Sequence, residues 1–297
     1  MKESAKAIVT LGCLCVGGAG IWASEPCRAA DHGDTPVLIS AGRHDARITD
    51  LFAFTRGDQL VLIVSLDPSI PPGVQQYQFA SDLRVKILID NDSEVAFDDA
   101  ADLEMFGGTI LGPHKVQKDL ALHVEFDMGG EPILETVGIP RRDREQILLF
   151  AGLRDDPFIR APRTGRNIAA IVIELPLDVV LNDQDTLLIW ATSAVDDLVG
   201  PFQDLAGRAL RSQFPENFPM NSLAPKRHEK VMDVPPDVII YDTLLPAAFP
   251  NGRELADDVV DLVGDLRVLN SDFPFPAEND VPFLDVFPYL APPHPAP

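Results

Sequence analysis

Apolar and polar residues alternate from Leu120 to Asp127, with Leu120, Leu122, Val124 and Phe126 on one side and Ala121, His123, Glu125 and Asp127 on the other. That period of two predicts a strand with one face in a core. Leu83–Ile89 and Ala169–Leu175 carry a similar signature, whereas Leu60–Leu66 and Leu187–Ala191 are apolar almost throughout and predict more fully buried strands. Turn formers lie between the runs at Gly57-Asp58, Pro71-Pro72-Gly73, Gly107-Gly108, Gly129-Gly130 and Asn182-Asp183. About seven to ten strands follow. Because no regular helices intervene, the expected fold class is mainly β, an antiparallel β-sandwich with long loops rather than an alternation of strands and helices.

One segment departs from this pattern. Leu255, Val259, Leu262, Val263 and Leu266 repeat at helical spacing, with Asp257, Asp258, Asp261 and Asp265 off that stripe. Asn251 followed three residues later by Glu254 resembles a capping box with Asn in place of Ser or Thr, so a C-terminal helix starting there is expected. Beyond it, residues 273–297 hold eight prolines, too many for ladder hydrogen bonds, and predict an extended tail pinned by Phe275, Phe283, Phe287 and Tyr289. No internal repeat or linker divides residues 30–297, which read as a single sandwich-like domain including the Pro-rich tail.

The N-terminus changes the picture of where this domain works. Lys2 and Lys6 precede a small, apolar run from Ala7 to Ala23, the layout of a secretory signal. Cys27-Arg28-Ala29 offers small residues at the two positions a signal peptidase reads, which makes 1–29 the expected signal peptide, with Ala30 or Ala23 as neighbouring cut sites. An uncleaved anchor is the alternative, but the run is at the short limit for crossing a bilayer. A periplasmic or extracellular location follows. Cys13, Cys15 and Cys27 all fall in the removed segment, so the remaining chain has no disulfide, thiolate nucleophile or Cys-ligated metal and must be held by packing. Cutting after Ala29 removes three cations and two anions, moving the net charge from −22 to −23. Such acidity excludes a phosphate-backbone partner, since the only dense basic stretch is Lys226-Arg227-His228-Glu229-Lys230, read as a solvated loop. No nucleic acid and no stable membrane insertion after cleavage are expected, while a protein partner is compatible with the extended tail.

Five blocks then stand out in order: Asp31-His32-Gly33-Asp34-Thr35-Pro36, Thr49-Asp50-Leu51-Phe52-Ala53-Phe54, Ile89-Asp90-Asn91-Asp92, Phe150 to Phe158, and Asn251-Gly252-Arg253. In that order they make the chain similar to the bacterial family catalogued as domain of unknown function 4331, over nearly all of residues 30–297. The resemblance implies an exported, mostly β protein and carries no reaction. Relatives tend to follow the Ile-Asp-Asn-Asp block with a Gly-Asp-Gly stretch resembling a calcium loop. Here it continues Ser93-Glu94-Val95-Ala96-Phe97-Asp98-Asp99, a departure from that loop.

Candidate chemistry is sparse. Asp90, Asp92 and Glu94 alternate directly after a strand and could aim three carboxylates at calcium, although Val95 and Ala101 stand where an EF-hand needs Gly and a bidentate Glu. Cleavage after Ala29 would leave Ala30-Asp31-His32, whose amine, two amides and imidazole form a square-planar copper chelate at His32. Asp155-Asp156-Pro157 reads either as paired acids or as a turn, with the turn favoured by the proline. His44-Asp45 with Asp50 forms another polar group, and His123 is expected on an exposed face. His228-Glu229 lacks the second histidine of a zincin helix, and no Gly-x-Ser-x-Gly, phosphate-loop or dinucleotide glycine pattern occurs. The sequence therefore favours an exported, non-catalytic binding or scaffold protein that takes calcium or, second, copper. The alternative is a hydrolase drawing acids from Asp50, Asp155 and Asp156, which requires those carboxylates to converge.

Overall fold

In the computed structural model, which describes residues 35–71, 73–157, 165–211, 215–257, 259 and 279–295, the apolar runs become strands. In chain order these are β1 (Ile48–Arg56), β2 (Gln59–Leu66), β3 (Leu83–Asp90), β4 (Val95–Ala96), β5 (Thr109–Ile110) and β6 (Leu120–Phe126). They continue with β7 (Pro132–Val137), β8 (Leu148–Asp155), β9 (Asn167–Pro176), β10 (Thr186–Val195), β11 (Asp204–Ala206) and β12 (Ile239–Asp242). The described residues thus hold more strands than the patterning predicts, because β4, β5 and β11 are too short to register as periodic runs. The mainly β, antiparallel expectation is met.

Sheet one is four-stranded in the order β1-β2-β9-β8, and sheet two runs β11-β10-β3-β6-β7 with β12 also on β10. Every named pairing is antiparallel. Gly57 closes the β1–β2 hairpin at φ +62°, a left-handed conformation that costs glycine little. Between the sheets Leu62, Val64 and Ile171 meet Val85, Ile87, Leu122 and Ile189 in one buried cluster. Each such side chain contributes about 1.5–3 kcal/mol on burial.

The outer faces are not left to water. Phe52, Phe54, Val61, Ile63 and Val172 of sheet one lie beneath Leu255, Phe283, Phe287, Tyr289 and Leu290. Leu88, Ala121, Leu188, Trp190 and Ile240 of sheet two pack in one outer cluster with Val116, Val238, Val95 and Ile110. This double cover explains why β1, β2, β9 and β10 are buried along almost their whole length. Of the predicted tail anchors Phe283, Phe287 and Tyr289 do pack, while Phe275 is outside the described residues.

The predicted C-terminal helix lies mostly outside the described residues, with Leu255 and Val259 the described members of its stripe and both buried. Its predicted cap is different. Asn251 is drawn to the end of β12, accepting from Asp242 N at 2.7 Å and donating to Asp242 O at 3.2 Å. Asp257 organises the turn instead, accepting from Phe249 N at 2.9 Å and Glu254 N at 2.8 Å. Next to it, Arg253 reaches Asp50 at 3.1 Å with both side chains buried, tying β1 to the segment after β12. Among the described residues no helix is long and apolar enough to cross a membrane.

Candidate metal centre

Among the described residues, two groups of side chains bring three metal-ligating atoms within 4.8 Å of one another: Asp90 with Asp92 and Asp119, and Asp155 with Asp280 and His294. The first contains two of the residues singled out from sequence. Asp90 closes β3 and is fully buried, but its carboxylate is spent on the chain. Oδ1 accepts from Ser93 N at 2.9 Å and Asp92 N at 3.3 Å, and Oδ2 accepts from Ser93 Oγ at 2.8 Å and Gln117 N at 2.9 Å. This is a turn held by its own aspartate. Asp119 accepts from Asn91 N at 3.0 Å, and burial pushes its carboxyl above the usual range. Glu94 is exposed and outside the group, beside His114, Lys115 and Lys226 in an open depression. Asp90 and Asp92 thus come together with Asp119, whereas Glu94 is not part of that group and lines the depression next to Asp92 and Ser93.

The second group is built from opposite ends of the chain. β8 delivers Asp155 to the end of sheet one, where it pairs in register with Asn167 of β9. The tail then crosses that end. Ala291 O accepts from Asp155 N at 3.2 Å, and Asn167 Oδ1 accepts from His294 N at 2.8 Å. Pro293 and Pro295 flank His294 and restrict its backbone, so the imidazole is presented from a stiff strap. Gln75 fastens the same residue by donating to His294 O at 2.7 Å.

At the centre His294 Nε2 lies 2.6 Å from Asp155 Oδ1 and 3.3 Å from Asp280 Oδ2. The ring's directed hydrogen bond runs to Asp280 Oδ1 at 3.4 Å, and Asp155 Oδ1 receives none. Asp155 is 1% exposed, against 19% and 23% for the side chains of His294 and Asp280. Outer partners hold both carboxylates: Asn279 Nδ2 donates to Asp155 Oδ2 at 2.6 Å, and Gly165 N donates to Asp280 Oδ2 at 2.7 Å. Burial pushes the Asp155 carboxyl up to about 7; Asn279 and His294 work against that and the Asp280 and Asp156 charges add to it. A buried carboxylate with one undirected oxygen, an imidazole and a second carboxylate make a mixed nitrogen and oxygen donor set open to solvent on one side.

Sequence reasoning read Asp155-Asp156-Pro157 as a turn and missed Asp280 and His294 entirely. Their only local signal is a lone histidine and an aspartate in a Pro-rich stretch. Asp156 is also buried. Asp50 does not join them. It shares its face of β1 with Phe52 and Phe54, which pack beneath the tail, while Asp155 shares its face of β8 with Leu153, which packs between the sheets. The strand order also puts β2 and β9 between them. The convergence that a hydrolase reading needs is therefore missing between Asp50 and Asp155.

The remaining candidates resolve individually. His32 lies outside the described residues, and with it the copper chelate. His44 Nδ1 meets Arg47 at 2.9 Å and Asp45 pairs with Arg43 at 2.8 Å, so neither gathers with Asp50. His123 is half-buried rather than exposed, and burial next to Lys86 pulls its imidazole below the usual range. His228 is buried, donating from Nε2 to Leu223 O at 2.8 Å and accepting at Nδ1 from Asp237 N at 3.0 Å, which fixes its tautomer inside the otherwise basic loop. Compared with protein-family models, curated proteins and solved structures, the chain matches none, and its function is argued from the chemistry of these side chains.

Proposed function

We propose that this chain is an exported, non-catalytic binding protein that holds a divalent metal ion, zinc in preference to calcium, between Asp155, Asp280 and His294. The observation that carries the reading is the convergence of the buried Asp155 Oδ1, His294 Nε2 and an Asp280 oxygen within 4.8 Å of one another. Zinc bonds of about 2.0–2.2 Å in a tetrahedron hold neighbouring donors roughly 3.3 Å apart. The His294–Asp280 separation of 3.3 Å already matches that, and His294–Asp155 needs to open by less than an ångström. Asn279 and Gly165 supply the outer hydrogen bonds that orient ligating carboxylates. The nitrogen donor and the small ligand count favour zinc over calcium, which takes six to eight oxygens. Calcium at Asp90 and Asp92 is less well supported, since all of Asp90's acceptor capacity is used within the turn. The acidic chain, at net charge −22, also draws cations toward the site.

The test is calorimetric titration of chelator-treated protein with zinc, paired with elemental analysis of the purified chain. One zinc per chain with micromolar or tighter affinity is expected, weakened by about tenfold or more in Asn279→Ala and abolished in His294→Ala. Unchanged binding in His294→Ala, or no binding by the folded protein at millimolar zinc, overturns the assignment. Export is tested separately, by the N-terminal residue of protein recovered from its host.

A further inference from the structure

On the outer side of sheet two, well away in sequence from the metal centre, a cavity of about 210 Å³ opens between the helix Ala100–Phe106, Ile110, Ile240 and the segment 233–236. It is smaller than the about 300–1,000 Å³ typical of sites for drug-sized ligands. Its distinguishing wall is Arg208. β11 ends at Ala206, and Gly207 then passes so close to residue 237 that an added Cβ would lie 2.3 Å from the Asp237 carbonyl carbon. Only glycine allows that approach, and it sets Arg208 inside the protein at 8% exposure.

The Arg208 guanidinium is under-used. Nη2 donates to Pro236 O at 3.0 Å, and the plane lies over the Phe106 ring at 4.2 Å. Nε is buried without a hydrogen-bond partner, and among the described residues no carboxylate forms an ion pair with the group. Asp237, a buried counter-charge, accepts at Oδ1 from the backbone Arg208 N at 2.9 Å and forms no ion pair with the guanidinium. Burial together with the Arg211 charge pulls the Arg208 pKa down to about 9, against Asp237 and Asp102, which leaves the group cationic at neutral pH. A guanidinium offers a planar fork of donors matched to a carboxylate, and a desolvated one gains most from that partner.

The mouth of the same cavity carries the opposite sign. Glu229 and Asp233 are exposed at its rim, and Asp102 lines it while accepting from Thr109 Oγ1 at 2.6 Å. A purely anionic ligand would pass these carboxylates unfavourably. A ligand with a cation at one end and a carboxylate at the other satisfies both, with Ile110 and Ile240 left for a short apolar side chain.

We propose that this cavity binds a small zwitterion of the α-amino-acid class, its carboxylate on Arg208 and its ammonium toward Glu229 and Asp233. This site is independent of the metal centre, and neither proposal depends on the other. The probes are leucine, leucinamide, which lacks the carboxylate, and 4-methylpentanoate, which lacks the ammonium, each titrated into the full chain by calorimetry or ligand-observed NMR. Leucine is expected to bind. Leucinamide should lose about thirtyfold or more, as expected when one partner of a buried charge pair is removed. 4-Methylpentanoate should lose about two- to fivefold, the scale of an exposed ion pair. Arg208→Met should abolish leucine binding while leaving the melting temperature unchanged or higher, because it removes a buried cation that has no ion-pair partner. Glu229→Gln, a rim change with no role in the core, should mimic the loss of the ammonium. The proposal is overturned if leucine fails to bind the folded protein at millimolar concentration, if leucinamide binds as well as leucine, or if 4-methylpentanoate binds more tightly than leucine.

Discussion

Asp155 makes a sharp prediction about pH. Its folded-state pKa is pushed up to about 7 from 3.8, so the folded chain holds this proton more tightly than the unfolded chain. The sign follows from linkage. Stability from this group is fully present below the unfolded value near pH 4 and is lost as pH rises toward 7, then stays flat above it. At about 1.4 kcal/mol for each unit, the shift corresponds to roughly 3–4 kcal/mol between pH 4 and pH 8 in metal-free protein. Other carboxylates also titrate in that range, so the measurement is a difference: urea unfolding of wild type and Asp155→Asn, with chelator, at half-unit steps from pH 4 to pH 8. Asparagine keeps the shape and an acceptor without the charge. The variant should gain on wild type progressively up to about pH 7 and then hold that gain. Zinc should close most of that gap above pH 7, stabilising only the wild type, by about 2.7 kcal/mol at a concentration one hundred times its dissociation constant. Parallel stability curves for the two proteins across the whole range would refute the reasoning, since they would mean that Asp155 titrates alike in the folded and unfolded chains.

Three further outcomes follow from geometry already described. Arg253→Ala removes the guanidinium 3.1 Å from the buried Asp50 carboxylate and stacked 4.2 Å from Phe52. It should cost about 3–5 kcal/mol, read as a fall in melting temperature of roughly 6–10 °C, with the joint change Asp50→Asn and Arg253→Met recovering most of it. Asp90→Ala should cost about 2–4 kcal/mol by urea denaturation, because it removes the acceptor of several hydrogen bonds, whereas Glu94→Gln should stay within about 0.5 kcal/mol. Intact mass of the protein taken from its host's exported fraction should correspond to a chain starting near Ala30 and lacking every cysteine.

Strand identity was legible where the pattern was regular: the five runs named from sequence fall on β2, β3, β6, β9 and β10, while β1 and β8 were not read from it although both are longer than β6. The alternation from Leu120 to Asp127 matches β6 to within one residue, and Leu60–Leu66 lies wholly within β2. The layers outside the sheets were not legible, because a continuous apolar run says that both faces are covered without saying by what. Leu290 and Phe54 are too far apart in sequence for any periodicity to join them. The family-like blocks turn out to meet in polar knots. Asp50 of the second block pairs with Arg253 of the last, and Gly252, at φ +67°, lets the backbone approach so closely that an added Cβ would lie 2.7 Å from Ala53 O. Asp90 was visible as an acid after a strand, but its hydrogen bonds to Ser93 and Gln117 depend on a fold the spacing does not encode. Asp155 was visible too. Its partner His294 was not, since a histidine between prolines has no local pattern that names a contact so far back in the chain.

The cover over sheet one also has a meaning in time. Its foundation, β1, is made long before the residues that roof it, from Phe283 to Leu290. Until they arrive, Phe52, Phe54 and Ile63 have no shelter from water, and the long separation between floor and roof makes their closure slow. A nascent chain therefore cannot complete this outer layer until the segment from Phe283 to Leu290 has emerged.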